Sequence, residues 1–366
     1  MKTLLRTTAL TAVAAIAATA AQAASHSSGE ITMMSWGGAY GASQTEAYIK
    51  PYNAQGGVQV NMVDADNPAV PIKAQVEAGN VTVDIVDIEE PDAIRLCDEG
   101  MLEELDVSEF PAGDDGTPAE EDFLESSYGD CFVPTIVFSH IYGFDKSKFE
   151  EGNMPSTLAD FFDTDTFPGK RGLRKSASPN LEMALVADGV DPAEVYDVLD
   201  TPEGVDRAFA KLDTIKDDVV FWEAGAQPPQ LLADGEVVMS TAYNGRIFNA
   251  MADEGQPFET VWDGQALYYD VLAIPKGAPN KDAAMEFLKF ATDTQRLADQ
   301  AKYISYGPAR ASSAPLVGTF KDTDLEMAPH MPTNPDNLTT AITVDPEFLA
   351  DNGVALEERF QTWLAQ

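Results

Sequence analysis

Short apolar runs bounded by glycine, proline and asparagine alternate with amphipathic stretches along most of this chain. Residues 31–34, 58–63, 83–88 (VDIVDI) and 219–222 have the length and apolar character of strands. A longer apolar run over 131–141, interrupted by Pro134, predicts a strand crossing between two halves of the molecule. Helical spacing is expected from the turn at 35–43 through Ile49, over 72–78, from Pro91 onward and over 156–162 with Ser156 as N-cap. Further helices are expected over 181–188, 192–199, 204–215, 230–233, 281–292, 294–302 and 353–364. The segment 235–277 reads as strand, turn, helix and strand, with the residues around VWDG as a spacer. Its apolar run at Val237–Met239 suits a strand buried on both faces. Tyr243-Asn244-Gly245 breaks that run with turn chemistry, and Tyr268, Tyr269 and Asp270 precede the final VLAIP. Strand–helix alternation without a repeat predicts an α/β fold with mainly parallel sheets flanked by helices.

The N-terminus changes the compartment. Lys2 and Arg6, an alanine-rich apolar core over 9–20 and Ala21-Gln22-Ala23 form a secretory signal peptide, residues 1–23, cleaved before Ala24. No later stretch has the roughly 18 uninterrupted apolar residues of a spanning helix. A chain of 366 residues exceeds one comfortable core and predicts two domains. Its net charge of −38 and pI near 4.1 argue against nucleic acid as a partner. The acids are spread along the chain, so they mark solubility and no particular site. Cys97 and Cys131 are the two cysteines, and in an oxidising compartment such a pair is expected as a disulfide. His26, His140 and His330 have no ligand-like spacing, so no metal is expected.

Candidate chemistry gathers where the backbone changes direction. SWGGAYGAS, residues 35–43, permits a tight strand-to-helix turn, and Trp36 and Tyr40 flank it as ligand-facing or core aromatics. Its spacing fails the dinucleotide fingerprint. Glu89 and Glu90 stand at the carboxyl end of a strand beside a helix start, a position that suits both a cap and a ligand site. FPGKRGLRK, residues 167–175, is the one basic run; it lacks the phosphate-loop pattern and can hold a carboxylate. Asp64-Ala65-Asp66-Asn67-Pro68 lacks the glycine of a calcium loop. Tyrosines with Asp270 at strand ends describe the rim of a cleft, where a cation can lie against the rings and be countered by the carboxylate. The chain has no G-x-S-x-G, no metal cluster and no cofactor fingerprint, so no cofactor is expected and an exported hydrolase is only a remote alternative.

Taken together, several stretches resemble the spermidine/putrescine-binding proteins of bacterial ABC importers. They are the Trp36-Gly start, VDIVDIEEPDAIRLCDEGMLEELD, STLADFFD with FPGKRG, GEVVMSTAYNG, YYDVLAIPKGAPNKDAAMEFLKF and SYGPARA, in that order over nearly all of the chain after residue 23. The resemblance implies a two-lobed periplasmic-binding-protein fold of type II, a monomer, with the solute enclosed between lobes and presented to an inner-membrane permease. The lobes are expected over 24–138 plus 268–315 and over 139–267 plus 316–366. By position, the resemblance implies ligand contacts at Trp36, Tyr40, Glu89, Tyr243, Tyr268, Asp270 and Tyr306, with Trp222 and Glu223 aligned more loosely.

One departure bears on the ligand. Polyamine binders of this family carry a carboxylate pair just after the strand matching Gly172-Leu173. Here the stretch reads Arg174-Lys175-Ser176-Ala177-Ser178-Pro179, with two cations and no acid. A dication would lose a partner there. Asp270 and the rings, with Lys175, Arg174 or Arg246 for a carboxylate, suit a ligand with one cationic head and an anionic tail. Betaine-like zwitterions, dimethylsulfoniopropionate and 4-aminobutyrate fit; a polyamine is the alternative. Tyr269 is grouped with the contacts as the neighbour of Tyr268 and Asp270.

Overall fold

The computed structural model describes residues 29–366, so the expected signal peptide lies outside the described residues. Ten strands form one continuous sheet: β1 (Glu30–Ser35), β2 (Gln59–Asp64), β3 (Ile85–Glu89), β4 (Phe132–Asp145), β5 (Arg171–Arg174), β6 (Val219–Trp222), β7 (Met239–Tyr243), β8 (Phe258–Ala273), β9 (Gly307–Pro308) and β10 (Ile342–Thr343). The order is β2-β1-β3-β8-β4-β7-β5-β6, with β9 on β4 and β10 on β8. Parallel pairs occupy the two ends, β2-β1-β3 and β7-β5-β6. Between them β3, β8, β4 and β7 pair antiparallel. The expected parallel pairing is thus concentrated at the two ends, with β10 on β8 as a further parallel pair. The two longest strands reverse direction because each must pass from one half of the molecule to the other.

β4 and β8 make the connection between halves. All fourteen residues of β4 are buried, which explains its mostly apolar composition; Thr135, Ser139, His140 and Asp145 are its buried polar residues. Pro134 is tolerated because the register shifts between Pro134 and Ile136, a bulge at which the missing N–H is not needed. The expected spacer around VWDG belongs to β8: Gly264, at φ +67°, lets the strand bend and continue.

Each end of the sheet carries its own core. Ile31, Met33, Val60, Ile85, Phe287 and Leu288 pack at the β1–β3 end. Leu173, Leu181, Phe209, Trp222, Phe360 and Trp363 pack at the β5–β7 end. The Cys97–Cys131 disulfide is formed, with Cα atoms 5.8 Å apart, and ties the helix Glu90–Asp98 to the start of β4.

Several helix starts differ from expectation, three of them for a plain local reason. Thr157, not Ser156, is the N-cap of Leu158–Phe162, since its hydroxyl and the Asp160 carboxylate complete a capping box. The second helix begins at Ala69, with Pro71 in its first turn. The last helix is Pro346–Leu364 rather than 353–364: Asp345 accepts from the Phe348 amide, and half-buried Gly353 is carried inside the helix. Helices Ala69–Glu77 and Glu90–Asp98 face Pro346–Leu364 across the groove between the halves.

Candidate functional site

Trp36-Gly37-Gly38 leaves β1 and enters the helix Gly38–Gln44. Gly37 and Gly38 both have positive φ, and a Cβ on Gly38 would lie 2.6 Å from Nη1 of Arg246. The turn thus admits a guanidinium from the opposite half, whose Nη1 donates to the Gly37 carbonyl at 2.9 Å. Arg246 sits in the first turn of Asn244–Ala252, directly after β7.

Around this point the aromatic residues converge. Phe138 of β4 is the hub: its ring centroid is 5.6 Å from that of Tyr268, stacked, 5.5 Å from Tyr243 and 5.9 Å from Tyr306. Tyr40 meets Tyr306 edge-on at 5.5 Å. His140, two residues beyond Phe138, lies 4.6 Å from the Tyr243 ring. Trp36 packs against the same cluster. Trp222 is fully buried behind it, edge-on to Tyr243 at 5.7 Å, with its indole N–H on Thr241 Oγ1. It supports the cage without facing the groove.

Charge is layered over the rings. β3 and β8 pair with Glu89 opposite Asp270 and Asp87 opposite Leu272, so Asp87, Glu89 and Asp270 share one face. Glu89 accepts from Arg174 Nη1 at 3.0 Å, an ion pair joining the two halves, and the guanidinium lies 5.6 Å from the Tyr243 ring and 6.0 Å from Trp36. Asp270 is held well above the usual carboxylate range by burial, then by Asp87 and Glu89, against the opposing pull of Arg174 and Arg246. Burial and then the charge of Arg174 push His140 down, so it is neutral at physiological pH.

The informative atoms are the unsatisfied ones. Buried polar atoms nearly always have partners. Here Asp270 Oδ1, Arg246 Nε, Tyr40 Oη, Trp36 Nε1, His140 Nδ1 and Asp87 Oδ1 have none among the described residues. They lie on the elements that bound one spot between the halves, with two carboxyls and one guanidinium among them.

The other expected residues lie elsewhere. Tyr269 is half-buried on the opposite face of β8 from its neighbours, packed with Met34, Phe132 and Val271; strand alternation puts it there. Lys175 and Glu223 are exposed and pair with each other at 2.9 Å at the mouth of the groove. That groove, 930 Å³, is lined by Glu89, Arg174, Ser178 and Tyr268 on its inner side. Reading the sequence did not single out Phe138, His140, Asp87 or Glu182. The i, i+2 spacing of Phe138 and His140 in a crossing strand was the available signal. Glu182, buried with its pKa pushed up to about 7, accepts a hydrogen bond from the Ser178 hydroxyl at 2.7 Å, and the Tyr268 hydroxyl is 2.6 Å from Ser178 Oγ. This chain fixes the tilt of the Tyr268 ring.

A two-ended sheet crossed by antiparallel strands, with rings and opposed charges buried between its halves, defines a receptor that encloses a small solute. The chain belongs to the bacterial extracellular solute-binding protein family, whose profile matches residues 47–333. It is a solute-binding protein and not an enzyme, and the family implies a periplasmic location. It is 44% identical over 340 residues to the Gamma-aminobutyric acid-binding protein of Pseudomonas aeruginosa, spanning 93% of this chain and 92% of that one. It is 25% identical over 224 residues to Spermidine/putrescine-binding periplasmic protein 1 of Haemophilus influenzae, spanning 60% of this chain and 58% of that one. Among solved structures, MotA from A. tumefaciens in complex with glucopine superposes with a TM-score of 0.83 at 32% identity, over 92% of this chain and 99% of that one. The Atu4243-GABA receptor superposes with a TM-score of 0.76 at 33% identity, over 92% and 98%. The resemblance to polyamine-binding proteins and the two-lobed α/β fold are borne out.

Proposed function

We propose that this protein captures a small ω-amino acid, 4-aminobutyrate foremost, between its lobes and delivers it to the permease of an ABC importer. One observation carries the reading: a buried carboxylate oxygen, Asp270 Oδ1, and a buried guanidinium nitrogen, Arg246 Nε, both lack partners inside one aromatic enclosure. A primary ammonium donates to the first and lies against Trp36, Tyr40 and Tyr306; a carboxylate accepts from Arg246, with Arg174 beside it. A quaternary onium needs ring faces alone and would leave Asp270 Oδ1 without a donor, which favours the amine over betaine or sulfonium ligands. The relatives described as binding gamma-aminobutyric acid support the same choice. Polyamines remain the second reading because of the weaker relatives of that name. Against them, the stretch 174–179 offers Arg174 where a second ammonium would need an acid.

The same reading includes a monomer exported by a signal peptide cleaved near Ala23. Its lobes comprise 24–138 plus 268–315 and 139–267 plus 316–366. Thermal-shift measurements test the ligand. At a hundredfold excess over Kd, a ligand adds about 2.7 kcal/mol and raises the melting temperature. We expect a shift with 4-aminobutyrate and none with putrescine or spermidine; a shift with polyamines alone overturns the reading.

A further inference from the structure

Asp87 is fully buried on β3, two residues before Glu89, and has no place in the ligand contacts above. Its surroundings leave a proton to be accounted for. Gln44 Nε2 donates to Asp87 Oδ2. The Ser35 hydroxyl is 2.6 Å from Gln44 Oε1 and 3.1 Å from Asp87 Oδ2. Ser35 has one proton, and Gln44 Oε1 can only accept. If Ser35 serves Gln44, the contact between Ser35 and Asp87 closes only when Asp87 itself carries a proton. The three side chains then form a ring of hydrogen bonds in which each gives one and takes one.

The charge count on this face agrees. Asp87, Glu89 and Asp270 lie on adjacent strands, and the cations facing them are Arg174 from β5 and Arg246 from the helix Asn244–Ala252. Tyr40 and Tyr48, from the helical segment after β1, are the remaining titratable groups near Asp87, and burial holds both neutral. Three carboxyls against two guanidiniums leave one negative charge in a dry enclosure, which either a proton or an ammonium removes.

We propose that Asp87 is a second carboxyl of the ammonium subsite: with the site empty, Asp87 and Asp270 retain one proton between them, and an incoming ligand ammonium displaces it. This rests on the amine reading above. The consequence is binding linked to proton release, with the released proton passing to solvent and the ammonium taking over its role as counter-charge. Burial pushes Asp87 up to about 7, against the opposing pull of Gln44, Tyr40 and Ser35 on its charged form, which places the linkage within the physiological range.

Calorimetric titration of the full-length exported protein with 4-aminobutyrate, in phosphate and in Tris, tests this because the two buffers absorb a released proton with different heats. At pH 6.5 we expect release of between half and one proton per ligand, falling toward none at pH 8.5, with affinity weakening toward tenfold per unit as pH drops below 6. D87N is expected to abolish the release at pH 6.5 and to weaken binding at pH 8.5 by about tenfold. Heats that match between buffers at pH 6.5, or release that survives D87N, overturn the proposal while leaving the amine reading intact. Absence of heat with 4-aminobutyrate at every pH overturns both. Should D87N fail to fold, the buffer comparison on the parent protein decides alone.

Discussion

Replacing Asp270 by asparagine keeps the shape of the side chain and removes its charge, and the structure predicts opposite effects on binding and stability. Asp270 is 5% exposed and its Oδ1 has no partner among the described residues. A ligand ammonium there forms a buried pair, and removing one member of such a pair costs about 3–5 kcal/mol. At 1.4 kcal/mol per decade, Asp270→Asn should weaken 4-aminobutyrate binding by about 10²- to 4 × 10³-fold. In the empty protein the sign reverses. Burial, Asp87 and Glu89 hold this carboxyl above its ordinary range. An acid raised in the folded state stabilises most below its unfolded pKa, and that contribution is lost as pH rises through the folded value. The unliganded variant should therefore melt higher than the parent at pH 8, with the gap closing toward pH 4. Calorimetry gives the affinity and differential scanning across pH gives the stability. A variant that binds within threefold of the parent, or that melts lower at pH 8, would refute the placing of an uncompensated carboxylate in the ligand enclosure.

Three further outcomes follow from the same geometry. Arg246→Lys should weaken 4-aminobutyrate binding by at least tenfold, because an ammonium loses the fork that spans Gly37 and the ligand, whereas exposed Lys175→Ala should leave Kd within twofold in the same titration. Cys97→Ser together with Cys131→Ser should destabilise by about 3–4 kcal/mol in the chain-entropy model and lower the melting temperature by several degrees, with ligand affinity retained. Glu90 is pushed up to about 8, first by burial and then by Glu347 across the groove. The parent should therefore lose stability as pH rises through 8, and Glu90→Gln should flatten that part of the melting profile while matching the parent near pH 5.

Much of the site was legible in the chain because aromatic and acidic residues at strand ends are conspicuous against apolar runs. Trp36, Tyr40, Tyr243, Tyr268, Asp270 and Tyr306 all converge. Glu89 does too, although its partner, Arg174, lies 85 residues away. Tyr269 was grouped with its neighbours by proximity in sequence, but a strand sends consecutive side chains to opposite faces. Lys175 and Glu223 found each other at the surface instead of the ligand.

Local order also determined the strand and helix content, the glycine turn after Trp36 and the pairing of two lone cysteines, since each depends on residues a few positions apart or on elimination. The antiparallel pairing of β3 with β8 joins residues far apart in sequence and brings three carboxyls onto one face. The long crossing strands bring Arg174 and Arg246 against them from the other half of the molecule. Which charges meet, which are dried by rings and which find water instead are decided by tertiary structure, because the strength of a charge interaction depends on distance and burial, and neither is written in the order of residues.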